Sequence, residues 1–199
     1  MKKIKKWIWI LLSVLVVPAS ASGLFLYQHN KQNNHKYIII NVQKVIDGDT
    51  IIATDLSNKQ YHIRLYGIDT PETQKDFKKE KLQKYENDYA QKAKQYTSEL
   101  IENKRIYMQQ IQVDKYKRVV AVLYLSTKDY FDNSINAKLV EKGLARVHYI
   151  QDKNPKTSYY TYNEEIKQMY VKLLKKQEIS KSNLKGFWKE NLYTIFSKP

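Results

Sequence analysis

The sequence predicts an α+β protein built on a small closed barrel of five strands with about three helices, preceded by an N-terminal apolar segment. Three observations lead to this prediction: an uncharged run near the N-terminus, five short segments rich in β-branched or alternating apolar residues, and three stretches with apolar residues at helical spacing. Five short strands with helices along one side suit a barrel that closes on itself.

The N-terminal segment predicts export. Residues 1–6 carry four lysines, and residues 7–27 hold no charged side chain. That run is long enough to cross the hydrocarbon layer as a helix. Because lysines favour the cytoplasmic side, an anchor would leave a single-pass protein in the cell membrane with its folded domain outside.

A cleaved signal peptide is the alternative for residues 1–27. Ala19-Ser20-Ala21 matches the small-residue pattern at cleavage sites, and cleavage would give a secreted protein. Apolar residues resume at 24–27, which an anchor needs and a signal peptide does not, so the anchor is favoured. Residues 28–36 are polar without periodicity and indicate a linker. The folded domain is therefore expected to span residues 37–199.

The first half of this domain is expected to consist mainly of strands. The predicted strands are residues 37–46, 50–54, 60–66, 105–113 and 118–125. Residues 56–59 form the turn of one hairpin and residues 114–117 the turn of another. A highly charged loop over residues 74–88 precedes the first predicted helix, at residues 89–103.

The second half is mainly helical. Polar residues 132–134 offer a cap for a short helix that ends at Gly143, where the chain needs a left-handed residue. A strand at residues 144–150, a loop at 151–158 and a helix at 160–182 are expected to follow. Residues 186–188 are expected to pin the C-terminal tail to the core.

The charge balance predicts an anionic partner. The net charge is +15, from 35 basic and 20 acidic residues, and no cysteine is present to form a disulfide or thiolate site. A general lysine bias is the alternative explanation. Only four of the basic residues are arginines, whose planar fork binds phosphate oxygens in pairs. Chance is the favoured explanation for Arg105 and Arg146, which leaves Arg64 and Arg118.

Acidic residues gather around Arg64. In a hairpin centred near residue 57, Asp49 lies close to the end of the strand that leads to Asp69, so both carboxylates can reach one ion. Two carboxylates with carbonyls and water suit a hard cation such as Ca²⁺ or Mg²⁺. Glu72 on the same loop could orient or deprotonate a water. A cation and an arginine beside such a water are what phosphodiester hydrolysis requires.

A purely structural explanation exists for each motif alone. The sequence Asp-Gly-Asp-Thr at residues 47–50 is a common turn, and Thr-Pro-Glu at residues 70–72 is a common start of a helix. Together, with an arginine between them, the two motifs favour a phosphate site.

Three motifs resemble the staphylococcal nuclease (thermonuclease) family. They are VIDGDTI at residues 45–51, RLYGIDTPET at 64–73 and DKYKRVVAVLY at 114–124, and the similarity extends over about residues 37–190. The resemblance implies an OB-fold barrel that binds one Ca²⁺ and cleaves DNA and RNA, with a 5′ oxygen as the leaving group.

The resemblance also implies a role for each matching residue. Asp49, Asp69 and the Thr70 carbonyl would bind the metal, with Asp47 supporting them from behind. Glu72 would act on the attacking water, and Arg64 and Arg118 would clamp the phosphate. Lys115 and Tyr116 would contact a terminal phosphate, and Tyr149 would pack against the nucleotide.

The sequence departs from the family pattern at two positions. Lys117 replaces a glycine before the second arginine, which would cost about 1–2 kcal/mol if that turn requires a positive φ. Gln151 replaces a second tyrosine, which predicts weaker stacking on the nucleotide.

The sequence therefore predicts an exported, metal-dependent endonuclease, active as a monomer on DNA and RNA, with Ca²⁺ as its metal and Mg²⁺ or Mn²⁺ as alternatives. Residues 7–27 would contact the membrane if they are not cleaved. The alternative function is a non-catalytic nucleic-acid-binding module on the same barrel, because barrels of this type bind single strands with cations and aromatic rings.

Overall fold

A computed structural model describes residues 37–74 and 82–198 of the chain. The predicted export segment and linker, residues 1–36, lie outside the described residues, as does most of the first half of the charged loop. Among the described residues, no helix combines the length and the apolar character needed to cross a membrane.

The described residues form seven strands: β1 Ile38–Asp47, β2 Thr50–Asp55, β3 Gln60–Leu65, β4 Ile68–Asp69, β5 Ile106–Val113, β6 Val119–Tyr124 and β7 Arg146–Val147. Five of these strands close into the predicted barrel, in the order β1-β2-β3-β6-β5. Neighbouring strands are antiparallel except for β3 and β6, which run parallel. A separate two-stranded sheet pairs β4 with β7.

Alternating apolar side chains fill the barrel, as the period of two in the strands predicts. Ile51, Ile63, Ile106 and Met108 are fully buried. Because these residues come from three different strands, the barrel has one continuous core that holds its rim, and the acidic corner on that rim, in place.

Among the described residues, three α-helices accompany the barrel: α1 Glu86–Ile101, α2 Ile135–Glu141 and α3 Glu164–Ser182. Helix α1 begins three residues before the predicted position 89, because Glu86 accepts a hydrogen bond from the Gln83 amide at 2.9 Å and closes the first turn. Helix α3 begins at residue 164 rather than 160, because Asn163 caps it by accepting from the Ile166 amide at 2.9 Å.

The predicted strand at residues 144–150 is wrong in its extent. Only Arg146 and Val147 form a strand, and they pair with Asp69 and Ile68. Tyr149 has φ 57°, a left-handed conformation that no strand continues through. The consequence is that β7 is just long enough to place Arg146 opposite Asp69.

Helix α2 is attached to the barrel by a buried asparagine. The Asn136 amide donates to the carbonyls of Tyr66 at 2.9 Å and Ala121 at 3.2 Å, and its oxygen accepts from the Leu123 amide at 3.2 Å. The helix ends at Glu141, and Gly143, two residues later, is the predicted left-handed residue, with φ 68°. These contacts orient the segment that continues into β7.

The C-terminal tail packs onto α1, as predicted. Phe187, Ile195 and Phe196 form a buried cluster with Tyr89. The Phe187 ring meets the Phe196 ring edge-on, with centres 5.4 Å apart. This packing brings the last residues of the chain close to Arg146.

Candidate active site

The corner between β1 and β2 is pressed against helix α1. A Cβ at Gly48 would lie 2.6 Å from the Ala93 Cβ, so only glycine fits this close approach. Thr97 donates its hydroxyl to the Gly48 carbonyl at 2.6 Å. As a result the next residue, Asp49, is fully buried and held at one end of the barrel.

Arg64 bridges the two carboxylates that the sequence pairs. It lies opposite Thr50 in the β2–β3 ladder, as the hairpin register predicted. Its Nη1 donates to Asp49 Oδ1 and its Nη2 to Asp69 Oδ1, both at 2.7 Å. One guanidinium fork therefore fixes the separation of two acidic side chains that are 20 residues apart in the chain.

The second oxygen of Asp49 meets the loop that follows β4. The Thr70 amide donates to Asp49 Oδ2 at 2.8 Å, and the Thr50 hydroxyl donates to Oδ1 at 3.1 Å. Asp49 thus accepts hydrogen bonds on both oxygens, and its carboxylate plane is set by the backbone.

Asp47 binds the same loop through Thr73. The Thr73 amide donates to Asp47 Oδ1 at 3.3 Å, and the Thr73 hydroxyl donates to the same oxygen. Residues 70 and 73 are therefore both tied to the β1–β2 corner. Glu72 lies between them, and its negative charge raises the pKa of both Asp49 and Arg64.

Arg146 also belongs to this cluster, which corrects the prediction that its occurrence is due to chance. Its Nε donates to Asp69 Oδ2 at 3.0 Å, and its Nη2 lies 2.9 Å from the same oxygen. Its Nη1 donates to the Lys198 carbonyl at 2.8 Å, and its guanidinium carbon lies 3.9 Å from the centre of the Phe196 ring. The scarcity of arginine in this chain was the one signal that could have identified it.

Burial dominates the electrostatics of the cluster. It raises the pKa of Asp49 to about 6; the charge of Arg64 opposes this rise, and the charge of Asp69 adds to it. Burial lowers the pKa of Arg64, but Asp49 and Asp69 outweigh burial and raise it overall. The raised pKa of Asp49 therefore reflects a cost of burial that the charge of Arg64 offsets only in part.

The residues fit a hard divalent cation. The hydroxyl oxygen of Thr70 is buried beside Asp49 without a hydrogen-bond partner. Carboxylate, hydroxyl and carbonyl oxygens are the ligands that Ca²⁺ and Mg²⁺ prefer. Among the described residues no group of three or more His, Cys, Asp or Glu side chains could hold a metal by itself, so carbonyls or water would have to complete the set.

Arg118 lies in the turn between β5 and β6 and bonds within that turn. Its Nε donates to Asp114 Oδ2 at 2.7 Å, and its amide donates to Asp114 Oδ1 at 2.9 Å. In the parallel β3–β6 pair Arg64 aligns with Val120, so Arg118 is about 7 Å further along the neighbouring strand. Among the described residues, the contacts of Arg118 stay within its own turn, and none of them joins it to the acidic cluster.

The turn that holds Arg118 has the conformation that the sequence departure made doubtful. Lys117 has φ 62°, so a lysine occupies a left-handed position. Lys115 and Tyr116 belong to the same turn, and the centre of the Tyr116 ring is 5.0 Å from Lys115 Nζ and 5.4 Å from the Arg118 guanidinium carbon. The turn therefore gathers cations around an exposed aromatic ring.

Tyr149 does lie at the cluster, since the Arg64 guanidinium is 5.7 Å from its ring centre. Gln151, where the family resemblance implies a second tyrosine, folds the following loop by donating to Asn154 and Thr157 at 2.8 and 2.6 Å. That loop brings Tyr159 to 5.2 Å from Tyr149. A second ring is therefore present, but it comes from another position.

Comparisons with known proteins find a family model and several relatives that match this chain. The family model, described as staphylococcal nuclease homologue, matches residues 62–190. A thermonuclease of Staphylococcus hyicus is 30% identical over 84% of this chain and 91% of its own length. A thermonuclease of Staphylococcus intermedius is 32% identical over 75% and 83%, and endonuclease YncB of Bacillus subtilis is 31% identical over 64% and 56%.

Proposed function

Because the chain belongs to the staphylococcal nuclease homologue family, we propose that it is a nuclease that hydrolyses phosphodiester bonds in DNA and RNA with Ca²⁺ as its metal ion. The observation that carries the proposal is the buried pair Asp49 and Asp69, bridged by Arg64 at 2.7 Å to each. Two carboxylates and a forked cation in one place suit the binding of a metal and a phosphate side by side.

Asp49, Asp69 and the Thr70 carbonyl would hold the metal. When bound, the cation would offset phosphate charge and make a bound water more acidic. Arg64 would give its fork to the phosphoryl oxygens, and for this it must release part of its contacts with Asp49 and Asp69. Arg146 would keep Asp69 oriented during this exchange through its two contacts with Oδ2.

Glu72 would orient or deprotonate the attacking water. It is carried by a loop that Asp49 fixes at residue 70 and Asp47 fixes at residue 73, so its backbone has little freedom. Arg118 would leave Asp114 and donate to the developing charge on the phosphate, opposite Arg64. The 5′ oxygen would depart with a proton taken from solvent water.

The Glu72→Gln variant tests this assignment. It should fold and bind metal like the wild type and lose turnover by about 100-fold or more, the scale of a positioned general base. Glu178→Gln is the matched control, because Glu178 is an exposed residue of α3 that pairs only with Lys181. Equal rates for Glu72→Gln and the control would remove Glu72 from the reaction.

The same assay separates a nuclease from a binding module. Purified wild type is incubated with circular DNA, linear DNA and RNA, each with Ca²⁺, Mg²⁺, Mn²⁺ or EDTA. Cleavage with Ca²⁺ that EDTA abolishes supports the proposal, and nicking of the circle identifies endonuclease action. Tight binding without cleavage under every metal condition would establish the non-catalytic alternative.

Export to the cell surface remains part of the proposal, with residues 1–27 as anchor or signal peptide and a monomeric domain outside. The support is the uncharged run behind four lysines. With an anchor, full-length protein should stay with membranes after a high-salt wash, and protease added to intact cells should remove the folded domain; with cleavage, a soluble product that begins near Ser22 should appear outside the cells. Resistance to that protease would refute export.

A further inference from the structure

A groove opens on the side of the barrel next to Arg118. Strands β3 and β6 pair only from Ile63 and Val119 onward, so the first residues of β3 separate from the β5–β6 turn. The space between them has a volume of about 500 Å³. That size is typical of pockets that hold a small organic ligand, such as one or two nucleotide units.

Cations and rings line this groove. Among the described residues that line it, none is acidic. Lys59 lies at one end, with its Nζ 5.0 Å from the centre of the Tyr61 ring. At the other end Arg118 lies beside Tyr116, and Lys117 contributes a third cation. The groove therefore joins the position expected to hold the cleaved phosphate to a further basic and aromatic surface.

Lys117 gives an independent reason to regard the groove as functional. A non-glycine residue at φ 62° is strained by about 1–2 kcal/mol. Glycine would relieve that strain, yet the chain places there a lysine that lines the groove. Strained backbone conformations often occur at functional sites, and here the strained residue is a lysine at the mouth of a cavity.

We propose that this groove, from Lys59 to Lys117, is a subsite for an unpaired nucleic-acid strand on one side of the cleaved bond. The proposal rests on the proposed nuclease function, which supplies the substrate and its position at Arg118. Lys59 and Lys117 bind two backbone phosphates, and the exposed Tyr116 ring offers a face for a base.

The lining favours a single strand over a duplex. Stacking on tyrosine requires a base that is free of its neighbours, and a duplex keeps its bases stacked inside. A slot of this volume also admits one strand and excludes a second. The groove therefore predicts that single-stranded DNA or RNA binds more tightly than duplex of the same length.

The size of the effect follows from counterion release. Each cation that neutralises a phosphate of a single strand contributes about 0.7 to the slope of log affinity against log salt. At about 50 mM salt, relative to 1 M, one such contact corresponds to about an eightfold gain in affinity. Loss of one lysine should therefore be easy to detect.

The experiment measures binding without cleavage. Full-length Glu72→Gln protein in EDTA is titrated with a fluorescent strand of about 12 thymidines, the site size of such barrels, from about 50 to 300 mM salt. Lys59→Gln and Lys117→Asn are added singly; asparagine tolerates positive φ and removes the charge. Lys175→Gln is the control, an exposed lysine of α3 outside the groove.

Each groove variant should lower the slope by about 0.7 and the affinity about eightfold at low salt. Lys175→Gln should change neither. Unchanged slopes in both groove variants, or equal losses with a duplex, would each overturn the proposal. A wild type that cleaves no nucleic acid would instead refute the nuclease assignment, and these slopes are read independently of it.

Discussion

Asp49 should titrate in metal-free protein at a pH well above that of an ordinary aspartate. Burial raises its pKa from 3.8 to about 6, although Arg64 acts against the rise. A carboxyl that is harder to ionise in the folded than in the unfolded chain favours folding below pH 3.8. That contribution is lost as the pH rises through 6.

The magnitude follows from the two pKa values. A difference of about two pH units corresponds to about 3 kcal/mol, at 1.36 kcal/mol for each unit. As the pH falls from about 7.5 to about 4.5, the free energy of unfolding should increase by about 2 kcal/mol of this amount. The full amount is not reached, because the unfolded chain also starts to bind the proton near pH 4.5. Other carboxylates titrate as well, so the effect must be isolated with a variant.

Asp49→Asn supplies the comparison, because it keeps the shape of the side chain and cannot titrate. The assay is urea unfolding in EDTA, followed by tryptophan fluorescence at several pH values. The free energy of unfolding of wild type minus that of the variant should increase by about 2 kcal/mol as the pH falls from about 7.5 to 4.5. The absolute offset between the two proteins does not enter this difference.

Asp55→Asn is the matched control. Hydrogen bonds from Ser57, above all, lower the pKa of Asp55 to about 2, although burial opposes them. Its stabilising contribution is lost only as the pH falls below 3.8, so the corresponding difference should stay flat over the same range. A flat or falling difference for Asp49 would show that Arg64 keeps it ionised, and the inference that burial outweighs Arg64 at this carboxyl would be refuted.

Three further perturbations test the geometry. Arg64→Lys should fail to restore the activity lost in Arg64→Ala, because the ammonium keeps the charge and loses the fork; near-normal initial rates would show that charge suffices. Arg146→Met should lower the free energy of unfolding by about 2 kcal/mol and weaken Ca²⁺ binding measured by calorimetry, because Asp69 loses a charged partner; wild-type values for both would make Arg146 incidental. Gly48→Ala should destabilise by about 1–3 kcal/mol in thermal or urea unfolding, since its methyl group would overlap Ala93; an unchanged midpoint would show that α1 moves freely.

Much of the site could be predicted from the sequence because its first half is local. The turn near residue 57 and the alternation of β3 set the register that puts Thr50 opposite Arg64. Only 15 residues separate Arg64 from Asp49, and five separate it from Asp69. Contacts within one hairpin and the turn after it follow from strand periodicity and turn length, and both can be recognised in a single sequence.

The prediction failed where the partner is distant in sequence. Arg146 is 77 residues from Asp69, and its place depends on how α2 docks through Asn136 and where β7 stops. No local pattern in residues 144–150 shows that the strand has two residues rather than seven. The left-handed Tyr149, which ends the strand, is likewise a result of packing around it.

The barrel, the hairpin register and the residue types at the rim of the barrel could be predicted from the sequence, because strand alternation and turn chemistry act between near neighbours. Three features became visible only in the folded protein: Arg146 completes the acidic cluster, Arg118 bonds to Asp114, and a groove separates β3 from the β5–β6 turn. Those features depend on how elements far apart in the chain pack together. Burial then follows from the same packing, and it is burial that raises the pKa of Asp49.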